Sequence, residues 1–149
     1  MQQNKTVSQQ KTINPVYWVP TAYFAMGIAF FAINLVSVFM FKDFGISDTQ
    51  ISFWCSFIMI AWTVEFLWSP FGGVYGTRDF LVLVTELLSG VLFGIVAFSL
   101  FFDYFFAISI STMAVIAFSG ATHDIACDGV YMAELNKEEQ AKYIGVQGA

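Results

Sequence analysis

Four long stretches of hydrophobic residues, separated by short polar segments, dominate this chain. They cover roughly residues 17–41, 51–68, 80–102 and 105–132. An apolar stretch of about 20 residues is long enough to cross a bilayer as an α-helix. The pattern therefore predicts an all-α integral membrane protein with about four transmembrane helices.

The segments between the stretches carry signals for helix ends and turns. Ser47 and Asp48 are both candidates for the N-cap of the second helix. Ser69 and Pro70 are expected to end that helix, and a glycine-rich loop follows them. By polarity the chain divides into a polar N-terminal tail at 1–15, a four-helix part at 16–133, and a last part at 134–149. That last part is predicted to be a hydrophilic cytoplasmic loop followed by the truncated start of a fifth helix.

Composition supports the membrane assignment and gives an orientation. Hydrophobic residues make up 58% of the chain and charged residues 11%, against about 25% charged residues in soluble domains. The net charge of −5 offers no basic surface, so nucleic acid is not predicted as a partner. With a cytoplasmic N-terminus, only Lys42 among the basic residues falls outside, which is the arrangement that the positive-inside rule favours.

Five ionisable side chains lie within the hydrophobic stretches: Glu65, Glu86, His123, Asp124 and Asp128. A charged group at the bilayer centre costs roughly 2.5–3.5 kcal/mol on insertion scales, so each one suggests a function. All five are expected towards the cytoplasmic side, where long side chains also reach water. For Glu65 an interfacial position is therefore an equal alternative, whereas the deeper Glu86 needs a partner or a proton.

The segment ATHDIACDG at residues 121–129 has the highest density of polar chemistry. Asp124 and Asp128 share one helix face at a spacing of four residues, where two carboxyl groups tend to share a proton. His123 is the only histidine, and histidine titrates near neutral pH. A proton relay and a merely polar helix end are both compatible with this pattern. Because His123 and Cys127 alone do not make a closed metal site, we predict no metal and no cofactor. A transferase that holds Mg²⁺ with Asp124 and Asp128 would need further acidic ligands that the sequence does not show, so we predict no enzymatic activity.

Small and polar residues also recur on the first helix. Tyr23, Gly27, Asn34 and Ser37 follow helical spacing and predict a face turned to protein or to a solute path. Tyr23 and Asn34, with Trp62 of the second helix, are therefore candidates for lining such a path. On the third helix, a GxxxG pattern predicts the close approach of another backbone.

Three segments together resemble the AmpG-type muropeptide permeases of the major facilitator superfamily, in its peptide, acetyl-coenzyme A and drug transporter branch. They are WVPTAYFA at 18–25, LWSPF at 67–71 and ATHDIACDGVYM at 121–132. The resemblance implies the N-terminal part of a twelve-helix fold with alternating access. It further implies proton-driven uptake of muropeptide-like solutes across the inner membrane, with His123, Asp124 and Asp128 as candidates for coupling or gating.

The chain departs from that family at positions that bear on the solute. Met26 stands where the relatives usually carry an acidic residue, Glu65 stands where a lysine is common, and Gly73 replaces an acidic residue of a cytoplasmic charge lock. On this interpretation the protein needs further transporter helices or a second chain, besides lipid, solute and protons. The alternatives are a truncated permease remnant without activity, or a small structural or regulatory membrane protein.

Overall fold

A computed structural model describes residues 14–71 and 78–147, and within these ranges the chain is helical, with short turns. The helices are α1 (Pro15–Asp43), α2 (Asp48–Thr63), α3 (Arg78–Ser99), α4 (Phe105–Glu134) and α5 (Lys137–Gln147). Two short 3-10 segments, Glu65–Leu67 and Ser69–Phe71, follow α2. Residues 1–13 of the tail predicted at 1–15 lie outside the described residues, as does Gly73, and Pro15 already belongs to α1.

Four of these helices are long and apolar enough to cross a membrane, which confirms the prediction of a multi-pass all-α protein. The α-helical part of the second span ends at Thr63, earlier than the predicted residue 68. Pro70 lacks an amide hydrogen and its ring clashes with the carbonyl group four residues earlier, which disfavours regular α-helical geometry in the residues before it. The chain there forms tighter 3-10 turns.

Helix α4 forms the centre of the bundle and carries more buried residues than the other spans. Helices α1 and α3 run antiparallel to it, and α2 runs parallel to it. A main apolar cluster joins α1, α2 and α4, with some residues of α3. A second, smaller cluster lies where α1 begins and α4 ends, and comprises Val19, Tyr23, Cys127, Tyr131 and Leu135. We refer to this end of the bundle as the polar end, because the ionisable residues of the spans lie towards it.

The turn between α1 and α2 follows its sequence signals. Ser47 is the N-cap of α2, since its side chain accepts a hydrogen bond from the amide of Gln50. Gly45 has a φ of 77°, a left-handed conformation that glycine adopts without a steric penalty. Lys42 and Asp48 form an ion pair of 3.1 Å across the turn.

Helix α1 departs from regular α-helical geometry in its second half. Residues Ala32–Val36 form a π-helical segment, in which one extra residue is inserted into the helix. Pro15 occupies the first turn, whereas Pro20 lies inside the helix. The π-helical segment changes which faces of α1 meet its neighbours, as described below.

The hydrophilic segment after α4, predicted as a loop, is helical from Lys137 onwards. Asn136 explains this correction, because its side chain accepts hydrogen bonds from the amides of Glu138 and Glu139. The Glu139 carboxylate in turn accepts a hydrogen bond from the amide of Asn136. This reciprocal capping box stabilises the start of a helix that its polar composition alone did not predict.

Candidate functional site: a polar network beside a groove

A three-residue hydrogen-bonded network links α1, α4 and α5 at the polar end. The Tyr23 hydroxyl donates to Asp128 Oδ1 at 2.6 Å. The Gln147 amide donates to the Tyr23 oxygen at 2.7 Å and approaches the same Asp128 oxygen at 3.3 Å. The Tyr131 ring meets the Tyr23 ring edge to face at 6.1 Å. The carboxyl group of Asp128 is thus held by donors from two other helices.

His123 forms a second junction, between α1, α3 and α4. Its side chain is buried, and its Nδ1 lies 3.0 Å from the Thr85 hydroxyl. Its Nε2 lies 3.3 Å from Cys127 Sγ and 3.4 Å from the carbonyl oxygen of Ala22. Both ring nitrogens therefore have polar neighbours, as a buried imidazole requires.

Asp124 and Glu65 are half-buried on the α2 side of the polar end. The Glu65 carboxyl group is within electrostatic range of Asp124 and Asp128. Glu65 Oε2 and Trp68 Nε1 are buried and have no hydrogen-bond partner among the described residues. Trp68 instead lies against Phe118 with 5.4 Å between ring centroids. The end of the second span thus presents an acceptor and a donor that are not satisfied within this part of the chain.

A groove runs between α1 and α3, and α4 forms its floor. It consists of two adjoining cavities of about 200 Å³ and about 780 Å³, and Glu86 lines both of them. His123 and Gly120 contribute to the floor of the smaller cavity, and Cys127 to that of the larger one. The larger cavity opens at the polar end. Glu86, which was predicted to lie deeper in the membrane than Glu65, is exposed along this groove and is not packed between helices.

The polar face predicted on α1 is divided between two neighbours. Tyr23 joins the network at the polar end. Asn34 instead donates to the carbonyl oxygen of Phe30 at 2.9 Å and to Met59 Sδ of α2 at 3.2 Å. Ser37 is buried and donates to the carbonyl oxygen of Ile33. Asn34 therefore lies at the contact between α1 and α2, outside the groove.

Of the remaining residues singled out from the sequence, Trp62 lies apart from the groove, whereas Gly90 lines its smaller cavity. Trp62 covers Gly120 on the α2 side of α4 and meets Phe30 edge to face at 5.6 Å. The GxxxG residues Gly90 and Gly94 have no atom within 4 Å of the position that a Cβ would occupy. No described helix makes the close backbone approach that this pattern predicted.

Sequence reasoning missed two residues of the site. Gln147 was expected only in the first turn of a further helix, yet it completes the contact between Tyr23 and Asp128. Thr85 was not singled out, although it precedes Glu86 and hydrogen-bonds both to His123 and to its own helix. A hydroxyl group one residue from an ionisable group within a span was the available signal for Thr85.

The chemistry of this site is not indicated by a metal-binding cluster among the described residues or by a known relative. Within residues 14–71 and 78–147, no three histidine, cysteine or acidic side chains converge in a way that could hold a metal ion. No protein-family model matches the chain, and no curated protein or solved structure is significantly similar to it.

Proposed function

We propose that this chain is part of a secondary active transporter that couples proton entry to the uptake of muropeptide-like or related amphiphilic solutes. The proposal extends to the inner membrane, with the N-terminus in the cytoplasm and with further transporter helices or a second chain, such as another copy of this one, completing the solute path. The observation that supports it best is the groove between α1 and α3, whose floor and polar end hold the ionisable residues of three helices.

The distribution of ionisable groups supports transport over a purely structural role. Such groups are costly within a bilayer and usually mark substrate or proton pathways. Here they are not scattered along the spans. Glu86 of α3 and His123 and Asp128 of α4 lie in or beside one groove, towards the polar end. A bundle that needed only mutual hydrogen bonds would have no use for an exposed Glu86.

We assign the proton to Asp128, because its hydrogen bonds join three helices. Tyr23 belongs to α1 and Gln147 to α5, and both reach the same carboxyl oxygen. A carboxylate accepts hydrogen bonds only, whereas a protonated carboxyl group also donates one. Proton loading therefore changes the strength of both contacts and biases the position of α5 against α1. Asp124, Glu65, Glu86 and Cys127 are further titratable groups in the same region.

The test is solute-dependent proton entry into proteoliposomes that contain the purified full chain. A pH-sensitive dye inside the vesicles reports acidification when anhydro-muropeptide is added outside at acidic pH. We expect acidification with the unmodified protein and its loss in Asp128→Asn. Asp103→Asn is the matched control, because Asp103 is exposed in the turn at the opposite end.

Two outcomes would count against the proposal. Well-folded chain without solute-dependent acidification would favour the structural or regulatory alternative for this chain. Acidification that persists unchanged in Asp128→Asn would remove Asp128 from the coupling step. Acidification lost equally in Asp103→Asn would show that the assay reports general damage and not coupling.

A further inference from the structure

We infer that the groove between α1 and α3 binds solutes that carry a positively charged amino or ammonium group beside an apolar body, in preference to anions. This inference rests on the proposed function and names the class of solute. Among muropeptide-like or related amphiphiles, it favours those with a free cationic group.

Aromatic and apolar side chains form the walls of the larger cavity. Tyr17 and Trp18 of α1 lie on one side, and Val82 and Leu83 of α3 lie on the other. The cavity volume of about 780 Å³ is within the range of small-molecule sites, which is roughly 300–1,000 Å³. The faces of tyrosine and tryptophan rings attract cations through their quadrupole, and ammonium ligands are often bound in this way.

Among the described residues, the charged groups that line the same cavity are carboxyl groups: Asp79, Glu86, Glu134 and Glu139. They come from three separate helices, so their convergence on the cavity results from the fold and not from a local run of acidic sequence. Three of them belong to α3 and α4, and Glu139 reaches the cavity from α5.

Basic groups do not compensate these carboxylates within the part of the chain that the structure describes. Lysine, arginine and histidine are missing from the described lining of the larger cavity. Arg78, next to Asp79 in sequence, donates to the carbonyl oxygen of Gly129 at 2.8 Å. An anionic solute would therefore meet like charges, which oppose binding, whereas a cation would meet opposite charges at every depth.

Glu86 decides the preference at the inner end of this cavity. The other three carboxyl groups lie near helix ends, where water screens them, and they would mainly steer a cation towards the mouth. Glu86 lies within a span and lines both cavities of the groove. A carboxyl group within a span needs a positive partner or a proton, and a bound cation supplies the partner.

The experiment measures binding to the full chain in phosphatidylcholine nanodiscs by isothermal titration. The probes are benzyltrimethylammonium, its neutral analogue benzyl alcohol, and the anion 3-phenylpropionate, which share an aromatic body. We expect the cation to bind at least about tenfold more tightly than the anion, which corresponds to about 1.4 kcal/mol. Glu86→Gln should weaken cation binding by a similar factor, while Asp103→Asn should leave it unchanged.

Equal or tighter binding of the anion by the unmodified chain would overturn the inference, and this comparison needs no variant. Unchanged cation affinity in a folded Glu86→Gln protein would overturn the role of Glu86. Failure of this inference is distinguishable from failure of the proposed function. Cation binding without solute-dependent acidification would contradict transport alone, and acidification with an anionic solute that outcompetes the cation would contradict the charge preference alone.

Discussion

The indole ring of Trp62 lies directly over Gly120, so that a Cβ atom at residue 120 would be 2.9 Å from the nearest ring carbon. Real Cβ atoms essentially never come so close to another atom, and the indole also contacts Phe30 edge to face at 5.6 Å. Helices α2 and α4 therefore approach closely only because residue 120 is glycine.

Gly120→Ala should accordingly destabilise the bundle. Forcing an extra methyl group into a filled contact typically costs about 1–3 kcal/mol. The measurement is thermal unfolding of the purified protein in detergent. Gly90→Ala is the matched control, since nothing lies within 4 Å of its added Cβ and alanine is the better helix former. Equal stability of the two variants would contradict the close contact between α2 and α4.

Tyr23→Phe should lower stability by removing one donor from Asp128. The variant keeps the ring and its edge-to-face contact with Tyr131, so the change isolates the hydroxyl group. Hydrogen bonds to charged groups contribute about 1.5–3 kcal/mol. The same unfolding measurement applies, with Tyr17→Phe as control, because Tyr17 is 71% exposed. A loss no larger than that of the control would show that the hydroxyl group contributes no net stability.

His123→Leu should loosen the junction of α1, α3 and α4. Leucine fills similar space but leaves the Ala22 carbonyl oxygen without its neighbour and removes the Thr85 contact. A single hydrogen bond contributes about 0.5–1.5 kcal/mol, and Thr85 keeps its bond within its own helix in the variant, so we expect a loss of that size. Amide hydrogen exchange should rise in α1 around Ala22. Thr122→Val is the control, because Thr122 donates only within its own helix, to Phe118. Unchanged exchange at residue 22 would argue against the junction.

A hydrogen bond between the last residue of α3 and the start of α4 should be measurable. Ser99 and Ser109 are both buried, and their hydroxyl oxygens are 2.9 Å apart. In membrane proteins such a bond contributes about 0.6 kcal/mol on average in double-mutant cycles. Ser99→Ala, Ser109→Ala and the double variant form that cycle, measured by unfolding. Strict additivity of the two single effects would mean that the two hydroxyl groups do not interact.

The four spans could be predicted because the length of an apolar stretch is a property of the sequence alone. The clustering of Glu65, Asp124 and Asp128 at one end also followed, since alternating helices place those positions at the same side of a membrane. The N-cap at Ser47 was predictable from local chemistry. Each of these inferences needs only distances along the chain.

Contacts between helices could not be predicted in this way. The faces on which Asn34 and Trp62 lie depend on helix rotation, which a polar stripe indicates only if the helix is regular. Gln147 reaches Asp128 only because α5 folds back towards α1. The residue that caps α5, Asn136, lies outside any hydrophobic pattern. For Gly90 and Gly94 the motif predicted a close contact that the described helices do not make, because a GxxxG motif does not indicate which helix packs against it.

The π-helical segment at Ala32–Val36 divides α1 into two rods, and the second is rotated relative to the first about the helix axis. One inserted residue rotates everything beyond it by about 100° about the helix axis. The first rod turns Tyr23 towards α4 and α5, and the second turns Ser37 towards α2. A one-residue deletion inside the segment would remove this offset, so the two ends of the bundle could no longer both be in register with α1. Because of the insertion, one continuous helix faces α4 and α5 beside the groove and α2 at the opposite end of the bundle.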